Sequence, residues 1–476
     1  MYDVAVIGGG VIGGAVLREL TKYQLKVCLL EQHDDVCMGQ SKANSGIVHA
    51  GFDASPNSLK AKFNVLGANM MKDYASELGV KYVNNGSIVL AFSDEELKTL
   101  EELKNRGEVN GVKELRIISK EEVKALEVNV SDECVGALIA PTAGIVCPYS
   151  LTIASIGNAM DNGADLHLNF KVSGANKVGD SYEILSDDGK KVLAKTVINC
   201  SGIGGGKVSE IFGDDTVKIG GRKGDYILLD REVGSYVKHT LFCTPTQKGK
   251  GILVSPTAHG NIILGPTATV VSDDKTDTTK EGLDEVKTSC NSMCKNVPLY
   301  ASITSFSGVR AYSDRHDFVI EQSSKNENLI NCIGIESPGL TSAPAIGKFV
   351  VEELVSKRHE LKTNDKFNGK RTPDDFFSKM SMEEKNELIK KDSSFGKIIC
   401  RCETITEGEI IHAITANPPA RNMDAVKRRT RAGMGRCQGG FCSLYVSELI
   451  SKYQNIPFTE VTKSGRNSQL VKGKTK

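Results

Sequence analysis

The chain opens on a short apolar strand, YDVAVI, turns through a run of glycines, and continues from Val11 with apolar and polar positions mixed as in a helix. A second strand follows at KVCLLE (26–31). Further along, EILSDDGKKVLA (183–194) alternates about an Asp-Gly turn and predicts a hairpin, and KTVINCSGIGG (195–205) predicts a strand running out to Gly202. GRKGDYILLD (221–230), GILVSPT (251–257) and NIILGPTA (261–268) carry strand patterns too. NLINCIGIESPGLTSAPAIGKFVVEEL (328–354) predicts a buried strand, a turn and a helix. Strands and helices alternate at the ends of this region while strands dominate its middle. The fold class is α/β at the nucleotide end and α+β overall.

The pattern breaks at 359–395, a charged stretch read as a linker (361–395) with one amphipathic helix from near Ser381 to near Lys391. Beyond it, 405–414 and 441–450 have helical periodicity, and Asn417-Pro418-Pro419 ends the first. The chain's 476 residues allow two or three domains. A net charge of +1 argues against general affinity for nucleic acid or anionic membranes. The apolar runs are too broken for a spanning helix, and a strand starting at Tyr2 leaves no room for a leader, so a cytoplasmic location is expected. The tail 456–476, carrying Lys463, Arg466, Lys472, Lys474 and Lys476, is expected to be a solvated, disordered end.

Two constellations carry chemistry. Gly8, Gly10 and Gly13 satisfy G-x-G-x-x-G between a strand and a helix, which allows a tight turn and close approach of the backbone to a pyrophosphate. The helix N-terminus adds its positive dipole end, and Glu31, 23 residues past Gly8, is placed for ribose hydroxyls. The second is a quartet among 13 cysteines: Cys400 and Cys402, then 34 residues, then Cys437 and Cys442. Four thiolates suit a soft metal centre, zinc or iron–sulfur. Cys28, Cys200 and Cys332 fall in apolar strands as core residues, and Cys290 with Cys294 is expected on one helix face for packing. His239, His259 and His316 are expected to be structural or exposed.

After Glu31 comes a polar segment, QHDDVCMGQSKANSGIVHAGFDA (32–54). Through Ser41, Asn44, Ser45, Gly46, His49 and Gly51 it resembles the flavin-binding loop of the glycine/D-amino-acid oxidase-type (DAO) FAD oxidoreductases. Within them it is similar to the branch of glycerol-3-phosphate dehydrogenases and L-2-hydroxyglutarate oxidases. The resemblance covers 1–355 and implies an interleaved chain: an FAD-binding domain over about 1–75, 150–215 and 325–360, and an antiparallel substrate cap over about 76–149 and 216–324. It implies FAD contacts at Gly202 and at Gly339, Leu340 and Thr341. RRTRAGMGRCQGGFC (428–442) resembles the bacterioferritin-associated-ferredoxin-like (BFD-like) module, here 396–455, which implies a 2Fe–2S cluster on all four cysteines.

The resemblance implies an FAD-dependent dehydrogenase acting on a small anionic 2-hydroxy compound, foremost sn-glycerol 3-phosphate, with electrons leaving to a partner redox subunit or quinone. Contact with a membrane would come only through that partner. L-2-hydroxyglutarate, an amine of the sarcosine or opine type, and a non-catalytic relay role are the alternatives. For an alcohol oxidation, His49 is the candidate base. Arg310 is the candidate clamp for the substrate anion. Lys223 and Tyr226 are expected to line the same pocket. Six basic residues between Arg421 and Arg436, against one acid, are expected to form a solvated face, with an acidic partner as the alternative.

Overall fold

The computed structural model describes residues 1–245, 251–272, 274–373 and 375–473. Five parallel strands lie side by side in the order Asp165–His167, Val27–Leu30, Tyr2–Ile7, Lys191–Asn199 and Leu329–Ile333. The hairpin predicted at the Asp-Gly turn extends this sheet through Val172–Val178 and Ser181–Ser186, and Val319–Gln322 closes its other edge. A parallel sheet is covered on both faces, so its central strands are apolar throughout. Val4, Ala5, Val6, Leu29 and Ile198 are accordingly buried without residual exposure. Each such Val, Leu or Ile contributes about 1.5–3 kcal/mol relative to leaving it in water. The helix Val11–Leu20 is buried along its whole length.

The second sheet has nine strands, all between Ser87 and Ser313. Its longest ladder pairs Ile219–Leu229 with Ser302–Ser313 antiparallel and sets Arg222 directly opposite Arg310. The helix Lys280–Met293 covers its outer face. It ends one residue short of Cys294, which follows in an extended conformation; both Cys290 and Cys294 are buried, as packing requires.

Beyond Leu354 the expected linker is pinned rather than loose. Its backbone bonds the first helix hairpin, Gln24 N–H donating to Lys362 O at 2.7 Å and Asn364 N–H to Lys22 O at 2.8 Å. The helix Met382–Lys391 forms where the sequence places it, and its N-cap Ser381 and Glu384 exchange hydrogen bonds in a capping box. A small module follows: a two-stranded ribbon, Ile398–Cys400 with Ile405–Thr406, and the helices Glu407–Thr415, Met423–Thr430 and Ser443–Gln454 packed around Ile410, Val426, Val446 and Ile450. The tail departs from expectation. Thr462 bridges Gln469, and the Lys463 ammonium holds Asp424 at 3.1 Å, so the chain to 469 is tied to the module; Lys474 and Lys476 lie outside the described residues. Among the described residues no helix is long and apolar enough to cross a membrane.

Candidate functional site

A cavity of about 510 Å³ runs between the two sheets, from the Gly-rich turn to the ladder that carries Arg310. Its nucleotide end is shaped by backbone. Gly8 has φ +108°, and a Cβ there would stand 2.5 Å from Cys200 O. At Gly13 a Cβ would stand 2.0 Å from Gly8 O, so only glycine lets helix and turn close on each other. Glu31 folds over this turn, accepting from Gly9 N–H at 2.7 Å and from His33 N–H at 2.9 Å. Burial pushes its carboxyl above the usual range, against the pull of His33 and of those two N–H groups. Cys200 and Cys332 are buried as expected, yet both line the cavity as free thiols, hydrogen-bonded to each other.

The flavin-loop residues divide into lining and support. Ser41, Asn44 and Ser45 line the cavity, as do Gly8, Gly10, Glu31, Gly202, Gly339 and Leu340. Ser41 Oγ accepts from Val11 N–H at 2.9 Å, and Asn44 ties the loop by donating to Ser41 O and accepting from Gly46 N–H. Gly46 and Thr341 stand behind the wall. Thr341 Oγ1 accepts from His49 N–H at 3.0 Å while Asn64 donates to His49 O at 2.6 Å, so His49 is fixed through its backbone at both sides. Its imidazole faces the cavity between Ser337 Oγ, 3.4 Å from Nε2, and the ring of Phe242, 6.0 Å away.

Arg310 lines the other end. It donates to Thr267 O at 2.8 Å and to Arg222 O at 3.4 Å, and among the described residues no carboxylate pairs with it. Tyr226 is also in the wall; burial raises its hydroxyl against the pull of Arg310. Lys223 is not. Side chains alternate along a strand, so Lys223 stands on the face opposite Arg222 and donates to Asp277 O at 2.8 Å. Arg222, Lys60 and Glu336 are among the lining residues that escaped the sequence reading. Glu336 takes Lys60 at 2.9 Å and Arg222 at 3.4 Å. The signal for Arg222 was available, because it shares strand parity with Tyr226. Nothing local marks Lys60 or Glu336, which meet across 276 positions of sequence.

Of the remaining histidines, His239 pairs with Glu127 at 2.8 Å, His316 is exposed, and His259 is pressed down to about 3 by burial and by Arg431 beside it. All three match the structural or exposed role.

The quartet assembles as two pairs. Cys402 and Cys437 lie 3.6 Å apart at the surface, and Cys400 and Cys442 are buried free thiols in hydrogen-bond contact. One tetrahedral ion with sulfurs at about 2.3 Å needs all four sulfurs around a single point. Among the described residues no group of three or more metal-binding side chains is gathered that tightly. Two pairs are what a two-iron cluster takes, one pair to each iron. Backbone N–H groups of Gly433 and Glu403 point at Cys400; its thiol is drawn down to about 6, chiefly by Cys442 and then by these donors. N–H groups of Phe441, Gly439 and Gly440 serve Cys437 likewise.

The basic stretch of the module is no solvated face. Arg428 and Arg429 are buried against the Asp35 carboxylate at 2.5 and 2.8 Å, Arg431 pairs with Glu403 at 2.8 Å, and Arg436 reaches Asp230 and Glu232. Only Arg421, exposed, and Lys427 keep out of these pairs. Local sequence reads six cations; tertiary structure sets two of them on Asp35 of the nucleotide-binding part, one on Asp230 and Glu232 of the cap, and one on Glu403 within the module.

Residues 3–353 match the FAD dependent oxidoreductase family (DAO), and residues 398–452 the BFD-like 2Fe-2S binding domain. Along 477 aligned positions, covering 100% of this chain and 99% of the relative, it is 45% identical to a glycerol 3-phosphate dehydrogenase of Caloramator mitchellensis. It is 33% identical to a glycerol 3-phosphate oxidase of Mycoplasma genitalium, covering 77% of this chain and 98% of that one. Among solved structures, the dithionite-reduced L-alpha-glycerophosphate oxidase of Mycoplasma pneumoniae with FAD bound superimposes with a TM-score of 0.74 at 29% identity, over 78% of this chain and 98% of its own. The glycine-built cradle, the helix N-terminus beside it and the buried Glu31 fit FAD, and the paired thiols fit the cluster. With both sites matched to families of the same chemistry, the chain belongs to the FAD-dependent oxidoreductases of the DAO family and carries a BFD-like 2Fe–2S domain.

Proposed function

We propose that this chain oxidises sn-glycerol 3-phosphate to dihydroxyacetone phosphate and sends the electrons through its cluster to a partner redox subunit or quinone. The observation that carries the reading is the 45% identity to a glycerol 3-phosphate dehydrogenase, which spans the cavity and the cluster module alike.

The lining residues supply the parts. Lys60, Arg222 and Arg310 outnumber the acids Glu336 and Asp53 in the same cavity wall and leave a positive surplus. A phosphate monoester carries about −1.5 to −2 at neutral pH and matches that surplus in a single group. L-2-hydroxyglutarate splits the same charge between two ends of a chain. Arg310 keeps N–H donors beyond those given to Thr267 and Arg222, so it can take two phosphate oxygens in parallel. His49, held by Thr341 and Asn64, accepts the proton of the C2 hydroxyl at Nε2, where the substrate hydroxyl displaces the 3.4 Å contact with Ser337 Oγ. Bound FAD supplies the two-electron acceptor for the C2 hydrogen. Phe242 and Leu340 keep water from the reacting carbon.

The test is an anaerobic titration followed at the flavin absorption band. Glycerol 3-phosphate should bleach it, with L-2-hydroxyglutarate and sarcosine inert. A flavin that stays oxidised in glycerol 3-phosphate overturns the reading.

A further inference from the structure

The segment between Glu31 and Cys37 serves two neighbours at once. On one side it forms the nucleotide cradle: Glu31 accepts from Gly9 N–H, and Cys37 N–H donates to Gly9 O at 2.8 Å. On the other side Asp34 accepts from Asn422 at 2.8 Å, and Asp35 receives Arg428 and Arg429, both from the helix Met423–Thr430 of the cluster module. The Asp35 carboxylate is 2% exposed and the two guanidinium side chains 7% and 5%. Arg429 makes a fork-on-fork pair, Nη1 and Nη2 each donating to one Asp35 oxygen, at 3.0 and 2.8 Å. Arg428 has no partner for its Nε among the described residues, so Asp35 is its principal compensation. Buried cations left without their carboxylate are strongly unfavourable, which makes this contact all-or-none.

We propose that Asp35 is the positioning residue for electron transfer between the two cofactors, fixing the 2Fe–2S module at one distance and orientation from the flavin cradle. It touches neither the cavity nor the cysteines. It acts through four residues of chain: a module displaced from Asp35 is displaced from the turn that holds the nucleotide. The inference rests on the reading that electrons leave the flavin through the cluster. A hydride brings two electrons; the cluster takes one, and the second follows once an added one-electron acceptor, ferricenium, has emptied it.

Two measurements on the full-length holoprotein test this. The first is rapid mixing of Asp35→Asn, under saturating FAD and without oxygen, with glycerol 3-phosphate, following flavin and cluster bands separately. Flavin bleaching should keep its wild-type rate, while cluster reduction slows about tenfold or more, because ångström misplacements of reacting partners cost that much. Asp35→Glu, which retains the charge, should recover most of the rate. Cluster reduction at the wild-type rate, or an equal slowing of both bands, overturns the proposal. The second is hydrogen exchange without substrate. Asp35→Asn should deprotect 422–430, with the cluster absorbance intact and the Cys37 N–H bond to Gly9 still protected; protection unchanged at 422–430 overturns it. Should Asp35→Asn fail to fold, Arg428→Lys is read by the same two criteria. If the wild-type flavin is not bleached by glycerol 3-phosphate, the substrate reading fails, and hydrogen exchange still decides the role of Asp35.

Discussion

Arg310→Gln tests the anion clamp proposed for this residue. The guanidinium has five N–H donors, and the structure assigns one to Thr267 O and a longer one to Arg222 O, leaving about three for a ligand. Two charge-assisted bonds at about 1.5–3 kcal/mol each give about 3–6 kcal/mol, of which a glutamine amide recovers the smaller part. Arg222, directly opposite on the neighbouring strand, still holds the anion, which puts the net loss at the lower end, about 3 kcal/mol. At 1.36 kcal/mol per tenfold, kcat/KM for glycerol 3-phosphate should fall about 100-fold or somewhat more. The assay is anaerobic stopped-flow reduction of the flavin across a substrate series, with the absorption spectrum confirming that FAD and cluster are loaded. A change below about threefold in fully loaded protein would refute the reasoning, because a lost bidentate contact cannot cost so little. Glycerol, which lacks the phosphate, should react equally poorly with both proteins.

Three more outcomes are expected. Arg222→Gln should raise KM for glycerol 3-phosphate about tenfold or more, and Lys223→Gln should leave it unchanged, since only Arg222 faces the cavity; equal effects in the two steady-state curves would reverse the assignment. Gly13→Ala should yield protein without flavin colour, because its Cβ would stand 2.0 Å from Gly8 O, and an FAD content near one per chain would contradict the close approach. Burial opposes ionisation of Asp35, but Arg429 and Arg428 win and hold its carboxyl below the ordinary range. A depressed carboxylate stabilises fully above the unfolded value of about 3.9 and loses that contribution as pH falls through the lower folded value. Exchange protection at 422–430 should therefore survive down to about pH 4 and decline progressively below it; loss near pH 6 would point to another group.

What the sequence disclosed, and what it withheld, follows from the range of the forces involved. The strand, glycine turn and helix at 2–20 were legible because each part constrains its neighbours within a few residues. The helix from near Ser381 to near Lys391 was legible for the same reason. Thr341 was placed near the flavin by resemblance, yet its work, holding His49 by a hydrogen bond across 292 positions, has no local trace. The basic stretch was misread for that reason too: composition counts charges but not the Asp35 carboxylate, 393 and 394 positions away from Arg428 and Arg429, that neutralises them. The tail was misread because a run of cations looks solvated until Asp424 is found beside it. Lys223 was a different failure, since the two-residue alternation that excludes it was present in the sequence.

The facing arginines of the long ladder also bear on how the protein must be handled. Like charges directly opposite on paired strands repel, and among the described residues Glu336, through Arg222, is the carboxylate that pairs with them. Such a pair favours small dianions in general and does not wait for one metabolite. Sulfate and inorganic phosphate should therefore compete with substrate, raising apparent KM and leaving the maximal rate alone, while chloride at equal ionic strength does much less. Phosphate buffer would then understate the enzyme's affinity, and a cell's own phosphate level would act as a brake on it. A maximal rate that falls with sulfate would mean that the dianion binds somewhere other than between Arg222 and Arg310.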